Sequence, residues 1–383
     1  MTVTHPRGFR ASGVAAGLKS SGAEDLALLV NDGPRDVVAA VWTSNRCKAN
    51  PVLWSERVAA TGHARAVVAN SGGANCYTGA AGFQITHATA EHAADVLDVA
   101  PVEVIVCSTG LIGVLNDRVS LLSGIDRAAA LLTEAGGPAA ATAIMTTDSV
   151  PKQATVDAGD WSIGGIAKGA GMLAPGLATM LVFLTTDADV DHATADTALR
   201  EATAVTFDRL DSDGCMSTND AVVLLVSGAS GARPSYDEFA DTLRTLCHDL
   251  SQQLLRDAEG AEHDIAITVV GAATEDDAVT VARSIARSNL FKCAIYGRDP
   301  NWGRILAAVG TTDAQFDPTD LDVALNDVWV CRNSGLGADR ELVDLSGRDV
   351  TVTVDLKSGD RTATVWTNDL THAYVHENSA YAS

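Results

Sequence analysis

The sequence predicts a layered α/β protein, and three observations support this fold class. Short apolar runs alternate with alanine-rich helical segments along the 383 residues. The alternation continues into the last third of the chain, and no linker or low-complexity tract interrupts it. At roughly 100–200 residues per domain, this length predicts two to three domains, or one large core with a smaller unit.

The elements of the first half follow in chain order. Apolar runs that end in Gly or Asn turns predict strands at 64–70 and 102–110. Alanine-rich patterns predict helices at 86–99 and 125–135. The segment "WSIGGIAKGAGMLAPGLATMLVFLTTD" (161–187) predicts a strand, a tight loop and a second strand.

The second half repeats the theme. The longest clear helix is expected at 236–260, where Gly260 would act as its C-terminal cap. Residues 349–356 and 362–369 predict a terminal hairpin around "KSGD". The remaining expected elements are helices at 192–210 and 275–291 and strands at 220–228, 264–272 and 292–297. The best candidate for a loop between halves is 228–234.

Composition narrows the class of protein. The formal net charge of -22 argues against a nucleic-acid partner, whose phosphates would be repelled. Seven cysteines without a CxxC pair favour reduced thiols. The N-terminus lacks the apolar stretch of a secretory signal, and the longest apolar runs are too short for a bilayer. We therefore expect a cytoplasmic enzyme with small-molecule partners and no membrane partner.

Common catalytic motifs are missing from the sequence. In "KGAG" (168–171) the lysine precedes the glycines, whereas a nucleotide-binding loop needs its lysine after them. The nine histidines show no paired metal-ligand spacing, and no G-x-S-x-G motif occurs. No metal and no organic cofactor is expected.

Thr179 is the candidate nucleophile, in the stretch "LAPGLATML". If the bond between Ala178 and Thr179 is cut, the new α-amine can act as the base that a threonine hydroxyl needs. Pro175 and Gly176 allow a sharp turn that would strain that bond. The competing interpretation is an ordinary β-branched residue at the start of a strand.

A family resemblance favours the nucleophile. The sequence resembles the ornithine acetyltransferases of arginine biosynthesis, which include bifunctional glutamate N-acetyltransferases, over essentially its whole length. Its blocks occur in the family order: "NSGGANCYTG" (70–79), "STGLIG" (108–113), "IMTTDSVPK" (144–152), "AKGAGMLAPGLATML" (167–181), "DGCMSTND" (213–220), "DAEG" (257–260), "GRDPNWGRI" (297–305) and "YVHENSAYAS" (374–383). Four positions depart from the expected blocks, Gly73, Cys76, Cys215 and Met216, and put only local packing in doubt.

The resemblance implies roles for particular residues. Thr109 and Gly110 correspond to the oxyanion hole, and Lys168 to a lysine that binds the substrate. Thr146 is implied as a substrate contact, with Thr147 as the alternative. The other implied substrate-binding residues are Thr179 itself, Glu259, which is expected at the end of the long helix, and Asn378 and Ser383 in the C-terminal tail.

The resemblance also implies fold, reaction and assembly. It implies an α/β/β/α-type core shared with self-cleaving aminopeptidases, divided by self-cleavage into fragments 1–178 and 179–383, with a smaller α/β unit within roughly 235–383. Thr179 would take the acetyl group of N-acetylornithine and pass it to glutamate, and two copies of each fragment are expected. Whether acetyl-CoA also serves as donor stays open. The alternatives are a self-cleaving aminopeptidase or amidase and, more remotely, a non-enzymatic acidic binding protein.

Overall fold

The computed structural model describes residues 2–172 and 180–380, which divide into two units. The described part of the first unit consists of residues 2–170, 180–208 and 216–254. The second unit consists of residues 171–172, 209–215 and 255–380. Residues 228–234 lie inside the first unit, so the division does not fall there.

The first unit holds two sheets. Its strands are β1 (Phe9–Val14), β2 (Leu26–Asn31), β3 (Val37–Trp42), β4 (Ala66–Asn70), β5 (Val104–Ser108), β6 (Lys152–Ala158), β7 (Trp161–Lys168), β8 (Leu181–Thr186) and β9 (Ala221–Val226). One sheet has the order β1-β2-β4-β5 and the other β3-β9-β8-β7-β6. Every residue of β2, β4, β5, β7, β8 and β9 is buried, so these strands read as near-continuous apolar runs.

Six helices accompany these strands. They are α1 (Asn50–Ala59), α2 (Gly79–Leu97), α3 (Arg118–Ala130), α4 (Gly137–Ala143), α5 (His192–Ala204) and α6 (Tyr236–Arg256). Asp117 and Asp191 cap α3 and α5 by accepting hydrogen bonds from backbone N–H groups of the first turn. Compared with the sequence prediction, α2 and α3 begin earlier and α5 ends at Ala204.

The two sheets of the first unit stack on each other between helices. A core cluster joins residues of both sheets, among them Leu29 and Ile105 from the first and Phe183 and Val223 from the second. The outer face of the first sheet packs against α2 and α3. On the second sheet, Gly165 lies under Leu246 and Leu250 of α6. The order helix, sheet, sheet, helix confirms the predicted α/β/β/α core.

The second unit is a smaller α/β unit around a six-stranded sheet. Its strands are β10 (Asp264–Ala272), β11 (Asp322–Leu325), β12 (Val328–Arg332), β13 (Gly335–Leu336), β14 (Asp349–Asp355) and β15 (Arg361–Asn368), in the order β13-β12-β11-β14-β10-β15. Its helices are α7 (Glu275–Ala286), α8 (Asn289–Tyr296), α9 (Trp302–Val309) and α10 (His372–Ala380). One core cluster unites this sheet with residues of α7, α8 and α9.

The predicted terminal hairpin is wrong. Strands β14 and β15 both exist, but β10 lies between them, parallel to β14 and antiparallel to β15. The turn residues between two alternating runs indicated direct pairing. Strand β10 instead pairs with the backbone edges of both strands, and a local sequence pattern cannot reveal such long-range pairing.

Two further local predictions are corrected. Residues 292–297 were expected to form a strand, but they lie in or next to α8, whose N-cap Ser288 accepts a hydrogen bond from the Phe291 N–H. Helix α6 ends at Arg256, so Gly260 does not cap it and Glu259 does not end it. Gly260 instead has φ +62°, and a Cβ there would lie 2.3 Å from the Tyr374 nitrogen.

Candidate functional site

Thr109 and Gly110 follow strand β5 at the edge where parallel strands β4 and β5 both end. Thr109 is buried, and its N–H donates to the Asn70 carbonyl at 2.9 Å. Gly110 has φ +121°, a conformation that favours glycine, and a Cβ there would approach Gly73 Cα to 3.1 Å. The loop that the resemblance assigns to an oxyanion hole is therefore tightly constrained.

Buried asparagines hold this loop, and the sequence analysis did not single them out. The Asn219 amide donates to the Ser108 carbonyl at 2.8 Å, one residue before Thr109. The Asn70 amide donates to the Ser108 hydroxyl at 2.8 Å, and Asn116 donates to Asn70 Oδ1 at 3.1 Å. Buried amides need hydrogen-bond partners. The polar asparagines beside predicted apolar strands were therefore the available signal for this loop, and the sequence analysis did not use it.

Lys168 ends strand β7 and points its ammonium at Thr109. Its side chain is 1% exposed, and Nζ donates to Thr109 Oγ1 at 3.2 Å. The structure thus brings together two residues that are 59 positions apart. A buried ammonium beside a hydroxyl and a positive-φ glycine is suited to stabilising negative charge on a bound group.

Asp148 connects Thr146 to this cluster, and the sequence analysis did not single out Asp148 either. Its Oδ1 accepts from Lys152 Nζ and from the Gly169 N–H, each at 2.6 Å, and its Oδ2 accepts from the Thr146 N–H at 2.9 Å. Burial opposes the charged form, but the ammonium groups of Lys168 and Lys152 outweigh it and lower the Asp148 pKa to about 2. Thr146 is half-buried, whereas Thr147 is exposed.

Strand β8 starts beside this cluster. Its antiparallel register with β7 pairs Leu181 with Lys168. The N–H of Met180 donates to Asp220 Oδ1 at 3.0 Å, and Asp220 is fully buried. Burial raises the Asp220 pKa well above its usual range, against the opposing effects of the Met180 N–H, Ser217 and Lys168.

Glu259 and Asn378 meet in the second unit. The Asn378 amide donates to Glu259 Oε2 at 2.9 Å, and Asn378 is exposed on α10. Gly171 belongs to the same unit, and a Cβ on it would lie 2.6 Å from Glu259 Oε2. Two substrate-binding residues that the resemblance implies, 119 positions apart, are therefore neighbours.

The remaining predicted residues lie outside the described part of the chain. They are Ala178 and Thr179 at the expected cleavage site, with Thr179 as nucleophile, and Ser383 at the C-terminus. Their roles stay predictions.

The departures from the family blocks sit in ordinary packing. Cys76 is buried and its thiol donates to the Cys47 carbonyl, while the Met216 sulfur accepts a hydrogen bond from Ser44. Gly73 has Val114 and Asn116 within 3.1 Å of where a Cβ would stand. No disulfide joins any of the seven cysteines, all of which lie in the described part of the chain.

No group of three or more His, Cys, Asp or Glu side chains in residues 2–172 and 180–380 could hold a metal ion. None of the helices in these ranges combines the length and the apolar character needed to cross a membrane.

The stacked sheets, with a buried lysine, a hydroxyl and a positive-φ glycine at their strand ends, define the chain as a layered α/β enzyme. Comparison with known proteins then identifies the family. The profile described as "ArgJ family" matches residues 10–383. The chain belongs to the ArgJ family, which confirms the resemblance seen in the sequence.

Individual relatives agree with this assignment. The arginine biosynthesis bifunctional protein ArgJ of Streptomyces coelicolor is 63% identical over 100% of both chains. A crystal structure of the Bacillus halodurans protein of that name is 36% identical, with a TM-score of 0.50, over 52% of this chain and 98% of that chain. An ornithine acetyltransferase from Mycobacterium tuberculosis, solved with ornithine, is 52% identical with a TM-score of 0.45, over 47% of this chain and 96% of that chain.

Proposed function

We propose that this enzyme of arginine biosynthesis moves the acetyl group of N-acetylornithine to glutamate through an acetyl ester on Thr179. Membership of the ArgJ family supports the pathway and the acyl-transfer chemistry. The observation that carries the proposal is the buried contact between Lys168 Nζ and Thr109 Oγ1, at 3.2 Å. Lys168 lies on β7, and its register partner on β8 is Leu181, two residues after Thr179.

The nucleophile is generated by cleavage between Ala178 and Thr179. The Thr179 hydroxyl attacks the Ala178 carbonyl, the peptide C–N bond breaks, and the resulting ester is hydrolysed by water. This leaves fragment 1–178 with a new carboxylate and fragment 179–383 with a free α-amine. The match of 98% of the Bacillus halodurans chain to only 52% of this chain supports a polypeptide divided near its middle.

Acetyl transfer then follows a ping-pong scheme. The Thr179 α-amine takes the hydroxyl proton while the oxygen attacks the acetyl carbonyl, and ornithine leaves with a proton on its nitrogen. Glutamate enters the same pocket, attacks the acetyl ester through its amine and restores the hydroxyl. Both steps pass through an oxyanion, for which Thr109 Oγ1 and the Gly110 N–H supply the donors.

We assign substrate recognition to two pairs of predicted residues, Lys168 with Thr146 and Glu259 with Asn378. Lys168 and Thr146 serve the amino-acid head that ornithine and glutamate share, since an ammonium suits an α-carboxylate. Glu259 with Asn378 serves the cationic side of ornithine. The ornithine complex of the Mycobacterium tuberculosis relative supports ornithine as a ligand. Ser383 is a further substrate-binding residue in this proposal.

The proposed setting is the cytoplasm, with two copies of each fragment in the assembly. Light scattering of the purified enzyme measures the assembly mass directly. Acetyl-CoA as a second donor fits the word "bifunctional" in the relatives' name. Production of N-acetylglutamate from acetyl-CoA and glutamate tests it.

Product analysis decides between acetyl transfer and the amidase alternative. With N-acetylornithine and glutamate present, the proposal predicts N-acetylglutamate in equal amount to the ornithine released, and parallel lines in double-reciprocal plots. Release of free acetate with no transfer to glutamate would favour the amidase. Thr179→Ala is the control and should give neither product.

A further inference from the structure

The second unit contains a cavity of about 200 Å³ beside α8 and the start of α10. Residues of 212–214, of the junction between α7 and α8, and of 369–374 line it, and all of them belong to the second unit. Glu259 and Asn378 do not line this cavity, and Lys168 lies in the first unit. The cavity is therefore separate from the substrate-binding residues assigned above.

Lys292 on α8 brings a buried ammonium group to the wall of this cavity. The residue is 5% exposed. Its Nζ donates to the Ser212 carbonyl and to Thr367 Oγ1, the latter at 3.3 Å, and both acceptors are uncharged. No carboxylate among the described residues forms an ion pair with this ammonium. Buried charges are normally paired, so the arrangement is unusual.

Lys357 in the same unit shows the ordinary arrangement. Its side chain is more exposed than that of Lys292, yet its ammonium lies 2.6 Å from Asp320 Oδ1 and 2.9 Å from Asp322 Oδ1. Lys292 differs in two ways: its ammonium has no carboxylate in contact with it among the described residues, and it lines a cavity.

Burial and three carboxyl groups determine the charge of Lys292. Burial lowers its pKa to about 8, against the opposing effects of Asp213, Asp211 and Asp369. At neutral pH the side chain is therefore mainly an ammonium. A carboxylate bound in the cavity would supply a counter-ion in direct contact with it.

Two of the three carboxyl groups have close partners of their own. Asp211 Oδ2 accepts from Arg287 Nε at 2.8 Å, and Asp369 Oδ2 lies 2.7 Å from His263 Nδ1. The third, Asp213, is half-buried and lines the cavity. The walls therefore carry both a buried cation and a carboxylate that a ligand can approach.

We propose that this cavity binds a free α-amino acid, with the ligand carboxylate on the Lys292 ammonium and the ligand ammonium on the Asp213 carboxylate. The Asn289 amide and the Tyr374 hydroxyl also line the cavity and can donate to the ligand carboxylate. The volume is below the roughly 300–1,000 Å³ of sites for drug-sized ligands, which suits a smaller molecule. A simple anion would meet a like charge at Asp213, whereas a zwitterion pairs with both walls.

The cavity is connected to the pair formed by Glu259 and Asn378 through helix α10. Tyr374 forms part of the cavity wall, and its carbonyl accepts from the Asn378 amide at 3.0 Å. The same amide donates to Glu259 Oε2 at 2.9 Å. A ligand that shifts the first turn of α10 therefore shifts Asn378, and it changes KM for N-acetylornithine. This consequence, unlike the binding of the amino acid, rests on the proposed function.

Isothermal titration calorimetry of the purified enzyme tests the binding. L-leucine, L-lysine and L-aspartate serve as probes, because their side chains differ in charge and none takes part in the proposed transfer. At least one should bind wild-type enzyme, and Lys292→Met should weaken that binding by about 10-fold or more, because a charge-assisted hydrogen bond is lost. Lys357→Met, the matched control in the same unit, should bind like wild type.

Binding of none of the three probes would overturn the inference, and so would equal binding by wild type and Lys292→Met. Binding of inorganic phosphate but of no amino acid would also overturn it. Phosphate is titrated as a separate arm for this reason.

Asp213→Asn provides a second test in case Lys292→Met does not fold. This change is at a half-buried residue, and it removes the partner of the ligand ammonium. It should weaken binding of the amino acid by about 10-fold or more, while acetate, which has no ammonium, should bind no more weakly than to wild type. Unchanged binding of the amino acid by Asp213→Asn would overturn the inference.

Kinetics with the bound probe test the connection through α10. A saturating probe should change KM for N-acetylornithine by about 5-fold or more in wild type and leave it unchanged in Asp213→Asn. Binding without any effect on KM would overturn the connection. Enzyme that binds the probe through Lys292 but forms no acetyl ester would instead reject the proposed function, so the two failures are distinguishable.

Discussion

At the residue scale, the properties of Thr109 depend on a lysine from another strand. Its hydroxyl accepts a hydrogen bond from the buried ammonium of Lys168 at 3.2 Å, so the position of that hydroxyl is fixed before substrate binds. A donor held in advance at a developing oxyanion reorganises little during the reaction. The loop is thus suited to stabilise a transition state rather than to bind the ground state.

Thr109→Ala should fold and lose kcat by about 10²-fold or more, because one oxyanion donor is removed. It should also slow self-cleavage, since that reaction passes through an oxyanion as well. Thr109→Ser keeps the hydroxyl and serves as the control. Steady-state kinetics and a denaturing gel measure the two effects, and near wild-type turnover in the alanine variant would remove Thr109 from the site.

Gly171 allows a test of Glu259 that leaves Glu259 itself unchanged. A Cβ at position 171 would lie 2.6 Å from the Glu259 carboxylate, which ends a flexible side chain and can move. Gly171→Ala should therefore displace the carboxylate with little loss of stability. We expect this variant to raise KM more for N-acetylornithine than for glutamate, with KM measured in separate half-reactions. An equal change in both would contradict the assignment of Glu259 to the cationic side of ornithine.

At the scale of elements, Asp148 ties the loop after α4 to the ends of β6 and β7. It compensates two buried ammonium groups, Lys152 and Lys168, and binds the Gly169 N–H. Removing one partner of a buried ion pair typically costs about 3–5 kcal/mol. Asp148→Asn should lower the free energy of unfolding by a comparable amount, measured by denaturant titration, whereas Asp126→Asn at the exposed His92 pair should change it little.

The pH dependence of stability follows from the same carboxyl. Its pKa is lowered from the ordinary 3.8 to about 2 in the folded protein. A lowered pKa stabilises the fold above the unfolded value, and this contribution, about 2 kcal/mol, is lost as pH falls from about 4 to about 2. The stability difference between wild type and Asp148→Asn should therefore shrink over that range. A difference independent of pH would contradict the ionised state assigned to Asp148.

The elements also show which features a sequence can predict. Buried strands such as β5, β8 and β9 stand out as apolar runs, and the family blocks point to Thr109 and Lys168. The hairpin prediction failed because β10 inserts between β14 and β15 through contacts distant in the chain. Asp148, Asn219 and Asp220 were missed for the same reason: their importance comes from burial and from partners that only the folded chain supplies.

At the scale of the whole molecule, one sheet contains strands from both proposed fragments. Strands β3, β6 and β7 precede the cleavage site, and β8 and β9 follow it. The backbone ladders of β7 with β8 and of β3 with β9 cross the division. The fragments should therefore co-elute after cleavage and unfold in one transition. Separation of the fragments on size exclusion without denaturant would contradict this.

The proposed chemistry requires Thr179 to become an N-terminal nucleophile that carries the acetyl group. Its most direct test is intact mass spectrometry of the enzyme after brief incubation with N-acetylornithine alone. We expect two polypeptides, 1–178 and 179–383, with the second heavier by one acetyl group, and loss of that mass when glutamate is added. A single uncleaved chain, or an added acetyl mass on fragment 1–178, would contradict it.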